Sequence, residues 1–231
     1  MSQTTSQTQG PASTSSGRLR GVIFDMDGVL VMSEPILAQA AGRMFAEKGF
    51  TVVHEEFRPF IGMGEDRYIG GVAEARGIPI DPEKDKARTY ELYLELIRGK
   101  LGPLPGVLAF VAGCRARGYK TAVASSADLV KVRGNLHEIG LPYESFDVVI
   151  DGTMVARKKP APDIFLEACR RLELDPSVCL VVEDAVSGVA AAKAAGTRCL
   201  AVTTSFGPEH LTKADWVVAG LDQVPDEVLG W

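Results

Sequence analysis

No run of apolar residues in this 231-residue sequence is long enough to span a bilayer, so no transmembrane helix is predicted. Cysteine is scarce, and the four cysteines form neither a CxxC pair nor another zinc-binding pattern. We therefore expect buried free thiols in a reducing compartment, with neither disulfides nor a zinc site. The three histidines, His54, His137 and His210, are isolated from one another, which favours surface positions over metal ligation.

The sequence also lacks an excess of positive charge. It contains 25 Lys and Arg against 30 Asp and Glu, for a formal charge of −5. Because neutralising a phosphate backbone needs a basic face, nucleic acid is not an expected partner. A local group of basic side chains on a mildly acidic protein remains compatible with a small anionic substrate.

Residues 1–17 lack acidic residues and apolar clusters, and they are rich in Ser, Thr, Gln and Gly. Such a segment buries too little surface to fold, so it is predicted to be a disordered tail. It has no apolar core of a secretory signal, and its low arginine content argues against an organelle transit peptide. For the remaining chain, a cytoplasmic monomer with no membrane partner is expected.

Residues 22–30 are the most informative segment, a short apolar run that leads into Asp25, Asp27 and Gly28. Side chains alternate along a strand, so the two carboxylates are expected on one side and Met26 on the other. Buried acids are costly unless a cation or a reaction uses them. The pair therefore suits a Mg²⁺ site with a nucleophilic carboxylate, while a strand followed by an Asp-Gly turn is the simpler alternative.

The rest of the sequence divides into two regions. Apolar residues recur at helical spacing between residues 35 and 100, and no alternating strand pattern interrupts them. A Gly- and Pro-rich break at 102–106 then leads into alternating strands and helices. The later strands are predicted at 120–124, 146–150, 178–182, 198–202 and 216–218, and the helices at 129–139, 163–172 and 185–195.

Alternating strands and helices indicate a parallel sheet that is covered on both faces. The first strand must join this later region, so the helical block is an insertion. We therefore predict an α/β protein with a Rossmann-like parallel sheet. Its predicted parts are the tail at 1–17, the core at 18–34 and 102–231, and the helical domain at 35–101.

The carboxyl ends of the predicted strands give the candidate active-site residues, because open parallel sheets bind ligands at that edge. In chain order these are Asp25 and Asp27, Ser125 and Ser126, Lys158 and Lys159, and Glu183 with Asp184. Together these residues suit phosphoryl transfer. The carboxylates can bind a metal ion, a serine hydroxyl can donate to a phosphoryl oxygen, and a lysine can neutralise the charge of the phosphoryl group. Taken singly, helix capping, a solvated loop or charge at a helix N-terminus explains each pair equally well. Their joint occurrence at four strand ends favours the functional interpretation.

In combination, these residues resemble the four motifs of the haloacid dehalogenase superfamily of aspartate-nucleophile phosphotransferases. The motifs are Asp25-Met26-Asp27-Gly28, Ser125, Lys159 before Pro160-Ala161-Pro162-Asp163, and Glu183-Asp184. The resemblance runs from about residue 20 to the C-terminus and is greatest for the β-phosphoglucomutase and sugar-phosphatase branch. It implies that the helical insertion is a C1-type cap domain.

The resemblance also implies a role for each motif residue. Asp25 would attack phosphorus and form an aspartyl phosphate, while Asp27 would protonate the leaving oxygen and then activate water. Ser125 would bind the transferring phosphoryl group, and Ser126, beside it at the strand end, is a further candidate phosphate contact. Lys159 would neutralise the charge that develops there.

Mg²⁺ is the cofactor that the resemblance implies. Asp25 would be a ligand, Asp27 would offer its backbone carbonyl, and Asp184 would hold the ion. Glu183 would be a direct or outer ligand. Lys159 is preferred to Lys158 as the motif lysine because it directly precedes the Pro-Ala-Pro-Asp run.

Individual residues distinguish among the reactions known in this superfamily, which include dehalogenation, phosphonate cleavage, phosphomutation and phosphate ester hydrolysis. The acid at Asp27 argues against carbon–halogen cleavage, and the absence of lysine from 35–43 argues against a phosphonatase. Met32 and Leu37 stand where mutase-like members carry an acid and a histidine. The cap arginine expected in the 62–66 loop is missing, since Arg67 is out of register. These departures favour hydrolysis over phosphoryl shuttling.

The predicted function is therefore a Mg²⁺-dependent phosphatase of a small phosphorylated metabolite, a sugar or polyol phosphate. Arg43, Glu65 and Arg67 are the candidate substrate contacts of the cap. A β-phosphoglucomutase-like mutase is one alternative, and a binding or regulatory domain with little turnover is another. Segments 60–65 and 70–73 are also similar to plant thylakoid members of the superfamily, which leaves a plastid location as an alternative to the cytoplasm.

Overall fold

The computed structural model describes residues 18–61 and 64–231. The predicted tail at 1–17 lies outside the described residues, as do Gly62 and Met63 of the cap loop. Within the described ranges, no helix is both long and apolar enough to cross a membrane.

A six-stranded sheet forms the centre of the fold. Its spatial order is β3-β2-β1-β4-β5-β6, and every neighbouring pair is parallel. The predicted parallel α/β sheet is thus confirmed. The strands are β1 (Gly21–Phe24), β2 (Lys120–Ala124), β3 (Val148–Ile150), β4 (Cys179–Glu183), β5 (Arg198–Val202) and β6 (Trp216–Val218).

The central position of β1 explains its composition. Val22, Ile23 and Phe24 are fully buried, and they alternate between two separate apolar clusters on the two faces of the sheet. A strand covered on both faces needs apolar residues at consecutive positions, which is the pattern read from the sequence. The chain leaves β1 towards β2 on one side and later returns to β4 on the other. The active-site edge therefore lies at a point where the strand order reverses.

Helices α4 (Val107–Ala116), α5 (Leu129–Glu138), α6 (Asp163–Leu172) and α7 (Val186–Ala195) cover the sheet. α4 is absent from the predicted element order. Its residues are almost uniformly apolar, so helical periodicity does not stand out. At the end of α7, Gly196 adopts a left-handed conformation with φ 82°, as expected of a helix C-cap.

The insertion between β1 and β2 contains α1 (Glu34–Glu47), a 3₁₀ helix (His54–Phe60), α2 (Glu65–Arg76) and α3 (Pro82–Ile97). Phe57 stacks on Tyr68 with ring centroids 4.8 Å apart, which joins the 3₁₀ helix to α2. Where the chain enters and leaves this insertion, Val31 pairs with Pro103, and the Leu104 amide donates to the Leu30 carbonyl at 3.0 Å. The boundaries of the cap at 35 and 101 remain predictions.

Candidate active site

Three buried carboxylates meet at the carboxyl ends of β1 and β4. Oxygen atoms of Asp25, Glu183 and Asp184 all lie within 4.8 Å of one another. Parallel pairing brings them together, because Phe24 is aligned with Val182 and the Asp25 amide donates to the Val182 carbonyl at 2.9 Å. This carboxylate group, hereafter the acid cluster, contains three of the four predicted metal-site residues.

Burial and mutual repulsion make the acid cluster a strong acceptor of positive charge. Burial, followed by the charge of Glu183, raises the pKa of Asp184 to about 8. Burial also raises the pKa of Asp25 to about 7, although Lys159 acts in the opposite direction. Hard carboxylate oxygens at this spacing suit Mg²⁺, and a divalent cation would remove the repulsion that the bare carboxylates suffer. The residues present therefore fit the metal that the superfamily resemblance implies.

Lys159 is the cation already in contact with this cluster. Its ammonium lies 2.5 Å from Asp25 Oδ1 and 2.6 Å from Glu183 Oε1, and its side chain is 7% exposed. The neighbouring Lys158 instead donates to the Gly152 carbonyl. Of the two adjacent lysines, only Lys159 contacts the acid cluster, which is the assignment made from the Pro-Ala-Pro-Asp run.

Two glycines allow the acids to approach so closely. A Cβ on Gly28 would lie 1.8 Å from Asp184 Oδ2, and the residue also has a positive φ of 79°. A Cβ on Gly188 would lie 1.8 Å from Glu183 Oε1. Glu183 Oε2 accepts backbone hydrogen bonds from Asp184 and Ala185 at 2.9 and 3.0 Å. The backbone thus fixes the Glu183 carboxylate, and the two glycines leave space for it and for Asp184.

Ser125 and Ser126 follow β2 and line the same cavity. The Ser125 amide donates to the Ile150 carbonyl at 3.0 Å, which holds this strand end against β3. Ser125 Oγ accepts from the Ala127 amide at 3.1 Å and keeps its own proton for a further acceptor. The local capping role and the predicted phosphoryl contact are therefore compatible in one side chain.

Asp27 points to a different group of residues from Asp25. Its Oδ1 accepts from the Ser33 hydroxyl, and its Oδ2 lies 2.8 Å from the Lys131 ammonium. Lys131 Nζ is also 3.5 Å from Oε1 of Glu65, the first residue of α2 in the cap. Asp27 is outside the acid cluster of Asp25, so only its backbone carbonyl remains as the predicted metal ligand.

Lys131 is a residue that the sequence reasoning missed. It is almost fully buried, and although burial alone lowers the pKa of a lysine, the charges of Asp27 and Glu65 raise the pKa of Lys131. One sequence signal was available. Lys131 lies in the first turn of α5, where a cation opposes the helix dipole and needs a specific partner.

A cavity of about 950 Å³ opens between the acid cluster and the cap. The predicted core-site residues other than Lys158 all line it, and so does Glu65 from the cap. Arg43 and Arg67 do not: both are exposed, and Arg67 pairs with Glu74 on the outer face of α2 at 3.2 Å. The structure therefore does not support Arg43 and Arg67 as substrate contacts. Glu34, just before the predicted cap, also lines the cavity without having been predicted, as do the cap residues Leu37, Arg58, Phe60, Ile61, Gly64 and Tyr68.

Comparison with known proteins identifies the class. Residues 19–196 match the family of haloacid dehalogenase-like hydrolases, which is more than half of the chain. The chain therefore belongs to this hydrolase family.

Two curated relatives match over most of their own length. The chain is 31% identical over 222 residues to the protein CbbY of Rhodobacter capsulatus, covering 91% of this chain and 97% of the relative. It is 33% identical over 178 residues to a phosphorylated carbohydrates phosphatase of Thermotoga maritima, covering 77% and 82%. The hydrolase family match and the phosphatase name of the second relative support a phosphoric monoester hydrolase.

A plant protein is also similar. Identity to the chloroplastic protein SUPPRESSOR OF QUENCHING 1 of Arabidopsis thaliana is 42% over 201 residues. The match covers 86% of this chain but only 19% of the plant protein, so the chain spans about a fifth of that relative.

Solved structures agree with the fold. CbbY of Rhodobacter sphaeroides, crystallised as a mutant with xylulose-(1,5)bisphosphate, has a TM-score of 0.85 at 27% identity, covering 92% of this chain and 100% of that chain. A β-phosphoglucomutase-type protein of Thermotoga maritima has a TM-score of 0.71 at 31% identity, covering 91% and 97%.

Proposed function

We propose that this protein is a Mg²⁺-dependent phosphatase that hydrolyses a small sugar or polyol phosphate through an aspartyl-phosphate intermediate. The observation that carries this proposal is the contact of Lys159 with Asp25 beside Glu183 and Asp184. Phosphoryl transfer depends mainly on positioning the reacting groups and on compensating their charge. A nucleophilic carboxylate next to an ammonium and two further carboxylates meets both needs.

Asp25 is the proposed nucleophile. One carboxylate oxygen is paired with Lys159, which keeps the side chain oriented at the cavity floor. Attack by Asp25 on phosphorus would form the acyl phosphate while the bond to the alcohol oxygen breaks. Ser125 Oγ–H and Lys159 would bind the phosphoryl oxygens during this step. Water would then hydrolyse the acyl phosphate and regenerate the Asp25 carboxylate.

Asp27 is the proposed acid and base. It would give a proton to the leaving alcohol oxygen and later take one from the attacking water. Its two oxygens are held by Ser33 and Lys131, so a substrate must compete with these partners for the carboxylate.

Mg²⁺ would be held by Asp184, Asp25 and the backbone carbonyl of Asp27, with Glu183 as a direct or outer ligand. When bound, the ion neutralises the phosphate charge that Asp25 must approach.

Release of inorganic phosphate from a panel of sugar and polyol phosphates with Mg²⁺ tests the proposal. We expect Asp25→Asn to abolish turnover while circular dichroism and Tm show an intact fold. Asp226→Asn, on the exposed C-terminal 3₁₀ segment, is the matched control and should retain full activity. Wild-type rates in Asp25→Asn would contradict the mechanism, and no phosphate release from any ester would favour a binding or regulatory domain.

A phosphomutase is the second candidate, because the fold resembles that of a β-phosphoglucomutase-type protein. The cavity wall argues against it, since Leu37 lines the cavity where mutase-like members carry a histidine. Product analysis separates the two functions. β-Glucose 1-phosphate with glucose 1,6-bisphosphate should yield free phosphate, whereas glucose 6-phosphate without free phosphate would favour the mutase.

For the location, the chloroplastic name of the plant relative supports the plastid alternative to the cytoplasm. A fluorescent fusion to the C-terminus of the full chain distinguishes them. The monomeric state remains a prediction that light scattering would test.

A further inference from the structure

The cap side of the cavity, across from the acid cluster, carries carboxylates. Glu34 at the start of α1 and Glu65 at the start of α2 both line the cavity. Glu65 is 5% exposed, and burial raises the pKa of both Glu34 and Glu65, with a further contribution from the charge of Asp27. This wall of the cavity therefore carries acidic side chains close to Asp27, the proposed acid and base.

Two polar atoms on this wall have no hydrogen-bond partner among the described residues. They are Glu34 Oε1 and the Tyr68 hydroxyl, and both are buried. The other wall carboxylate, Glu65, has the Tyr90 hydroxyl beside it as a donor. Tyr68 is 3% exposed and is held by stacking on Phe57. A buried polar group without a partner costs about 1–3 kcal/mol, so its presence beside a cavity points to a ligand that supplies the partner. Carboxylate oxygens only accept, and the ligand must therefore donate hydrogen bonds.

The cations of the cavity cannot serve a second anionic group. Among the described cavity-lining residues, Lys159 is paired with Asp25 and Glu183, and Lys131 is paired with Asp27 and Glu65. Arg58 is the remaining cation of this set. Arg58 is exposed, and its charge acts on Glu34. One such guanidinium does not compensate a phosphate dianion next to two carboxylates, since like charges at close range oppose binding.

We propose that the cap wall of Glu34, Glu65 and Tyr68 selects esters of uncharged polyols and sugars and rejects esters that carry a second phosphate. This inference rests on the proposed phosphatase function and narrows its substrate class. Hydroxyl groups of the alcohol part donate to the two carboxylates and exchange hydrogen bonds with the Tyr68 hydroxyl. A second phosphate offers only acceptors at neutral pH and meets the two carboxylates as a like charge.

Matched substrates test the inference without any mutation. The full chain with Mg²⁺ at about pH 8 is given fructose 1-phosphate, fructose 6-phosphate and fructose 1,6-bisphosphate, and then the corresponding three glucose esters. We expect kcat/KM for the better monophosphate of each set to exceed that for the bisphosphate by about tenfold or more. Equal or better use of the bisphosphates would overturn the inference.

Two variants test the residues themselves. Glu65→Gln and, separately, Glu34→Gln keep the shape of the wall and remove one negative charge, so each should shift the kcat/KM ratio about tenfold towards the bisphosphate. Glu74→Gln is the matched control, because Glu74 lies on the same helix as Glu65 with its side chain 75% exposed. An unchanged ratio in both cavity variants would overturn the inference even if the wild-type preference were as expected.

p-Nitrophenyl phosphate separates failure of this inference from failure of the proposed function. Its hydrolysis by wild type and not by Asp25→Asn, without turnover of any sugar or polyol monophosphate, would overturn the inference and retain the nucleophile mechanism. No release of phosphate from p-nitrophenyl phosphate or any other ester would overturn both.

Discussion

The ammonium of Lys131 lies 2.8 Å from Oδ2 of Asp27, and the lysine side chain is only 4% exposed. The same ammonium is 3.5 Å from Glu65 of the cap, so one buried cation joins the proposed acid–base residue of the core to the cap helix α2. Burial makes this contact matter, because a lysine without its partners would be costly at this position. The ammonium of Lys131 therefore helps to fix both the orientation of Asp27 and the position of α2 against the core.

The first prediction concerns this contact. Lys131→Met keeps the length of the side chain and removes its charge, which leaves Asp27 and Glu65 without their cation. We expect kcat to fall about 10–100-fold, because Asp27 loses one of its two positioning partners. We also expect a loss of roughly 2 kcal/mol in unfolding free energy, less than for a fully buried pair because Asp27 is partly exposed. Steady-state kinetics and urea unfolding measure the two effects.

Lys193→Met is the control for Lys131→Met. Lys193 also pairs with an aspartate, Asp215, at 2.6 Å, but both side chains are about a third exposed and lie away from the cavity. This variant should keep full activity and lose less than about 1 kcal/mol. Equal effects of the two substitutions on kcat would contradict the positioning role of Lys131.

The second prediction concerns the space that Gly28 leaves for Asp184. Gly28→Ala places a Cβ 1.8 Å from Asp184 Oδ2, so the acid cluster must shift. We expect activity to fall at least about 100-fold and the apparent affinity for Mg²⁺ to weaken. Gly49→Ala is a matched control, because its φ of 86° is similar and nothing lies within 4 Å of the new Cβ. It should cost about 1–2 kcal/mol of stability and little activity.

Similar losses of activity in Gly28→Ala and Gly49→Ala would show that backbone strain, and not displacement of Asp184, is responsible. Mg²⁺ titration followed by Tm reports on the acid cluster independently of turnover. We expect its midpoint to move in Gly28→Ala and to stay unchanged in Gly49→Ala.

The third prediction concerns pH in the metal-free protein. The pKa of Asp25 is raised to about 7 and that of Asp184 to about 8, from ordinary values of 3.8. A raised pKa means that the folded protein keeps protons that the unfolded chain has released. These groups therefore contribute their stability below about pH 4, and it is lost as the pH rises through about 7 to 8.

With EDTA present, we expect Tm to fall between about pH 5.5 and pH 8.5. Mg²⁺ should raise Tm more at the higher pH, because it binds the deprotonated carboxylates. Asp184→Asn should flatten the decline and reduce the response to Mg²⁺. A metal-free Tm that does not change over this range would contradict the crowding of charge in the acid cluster.

The fourth prediction compares the contribution of Arg58 to substrate binding with that of an arginine predicted from the sequence, Arg43. Arg58→Ala should raise KM for a sugar phosphate about tenfold with little change in kcat, because it removes a charged donor from the cavity wall. Arg43→Ala is the matched control and should change KM less than about twofold, since Arg43 is exposed outside the cavity. The reverse order of effects would restore the sequence-based choice.

The amino-acid sequence by itself determined the parallel sheet and placed the candidate core-site residues at its carboxyl edge. Continuous apolar runs mark strands that are covered on both faces, and polar side chains directly after Phe24, Ala124 and Val182 mark their active-site ends. Both signals are local, because they depend on residues next to each other in the chain. β3 begins two residues later than predicted, at Val148. α4 was not predicted, because its apolar residues show too little helical periodicity.

Only the tertiary structure decided which cap residues face the cavity. Arg67 is close to Glu65 in the sequence, yet α2 turns Glu65 inward and leaves Arg67 outside with Glu74. Lys131 and Asp27 are separated by 104 positions, so no local pattern could pair them. Side chains converge on a cavity through the packing of distant elements, and the direction of each depends on the rotation of its helix against the sheet. That rotation is fixed by long-range burial, which a single sequence does not display.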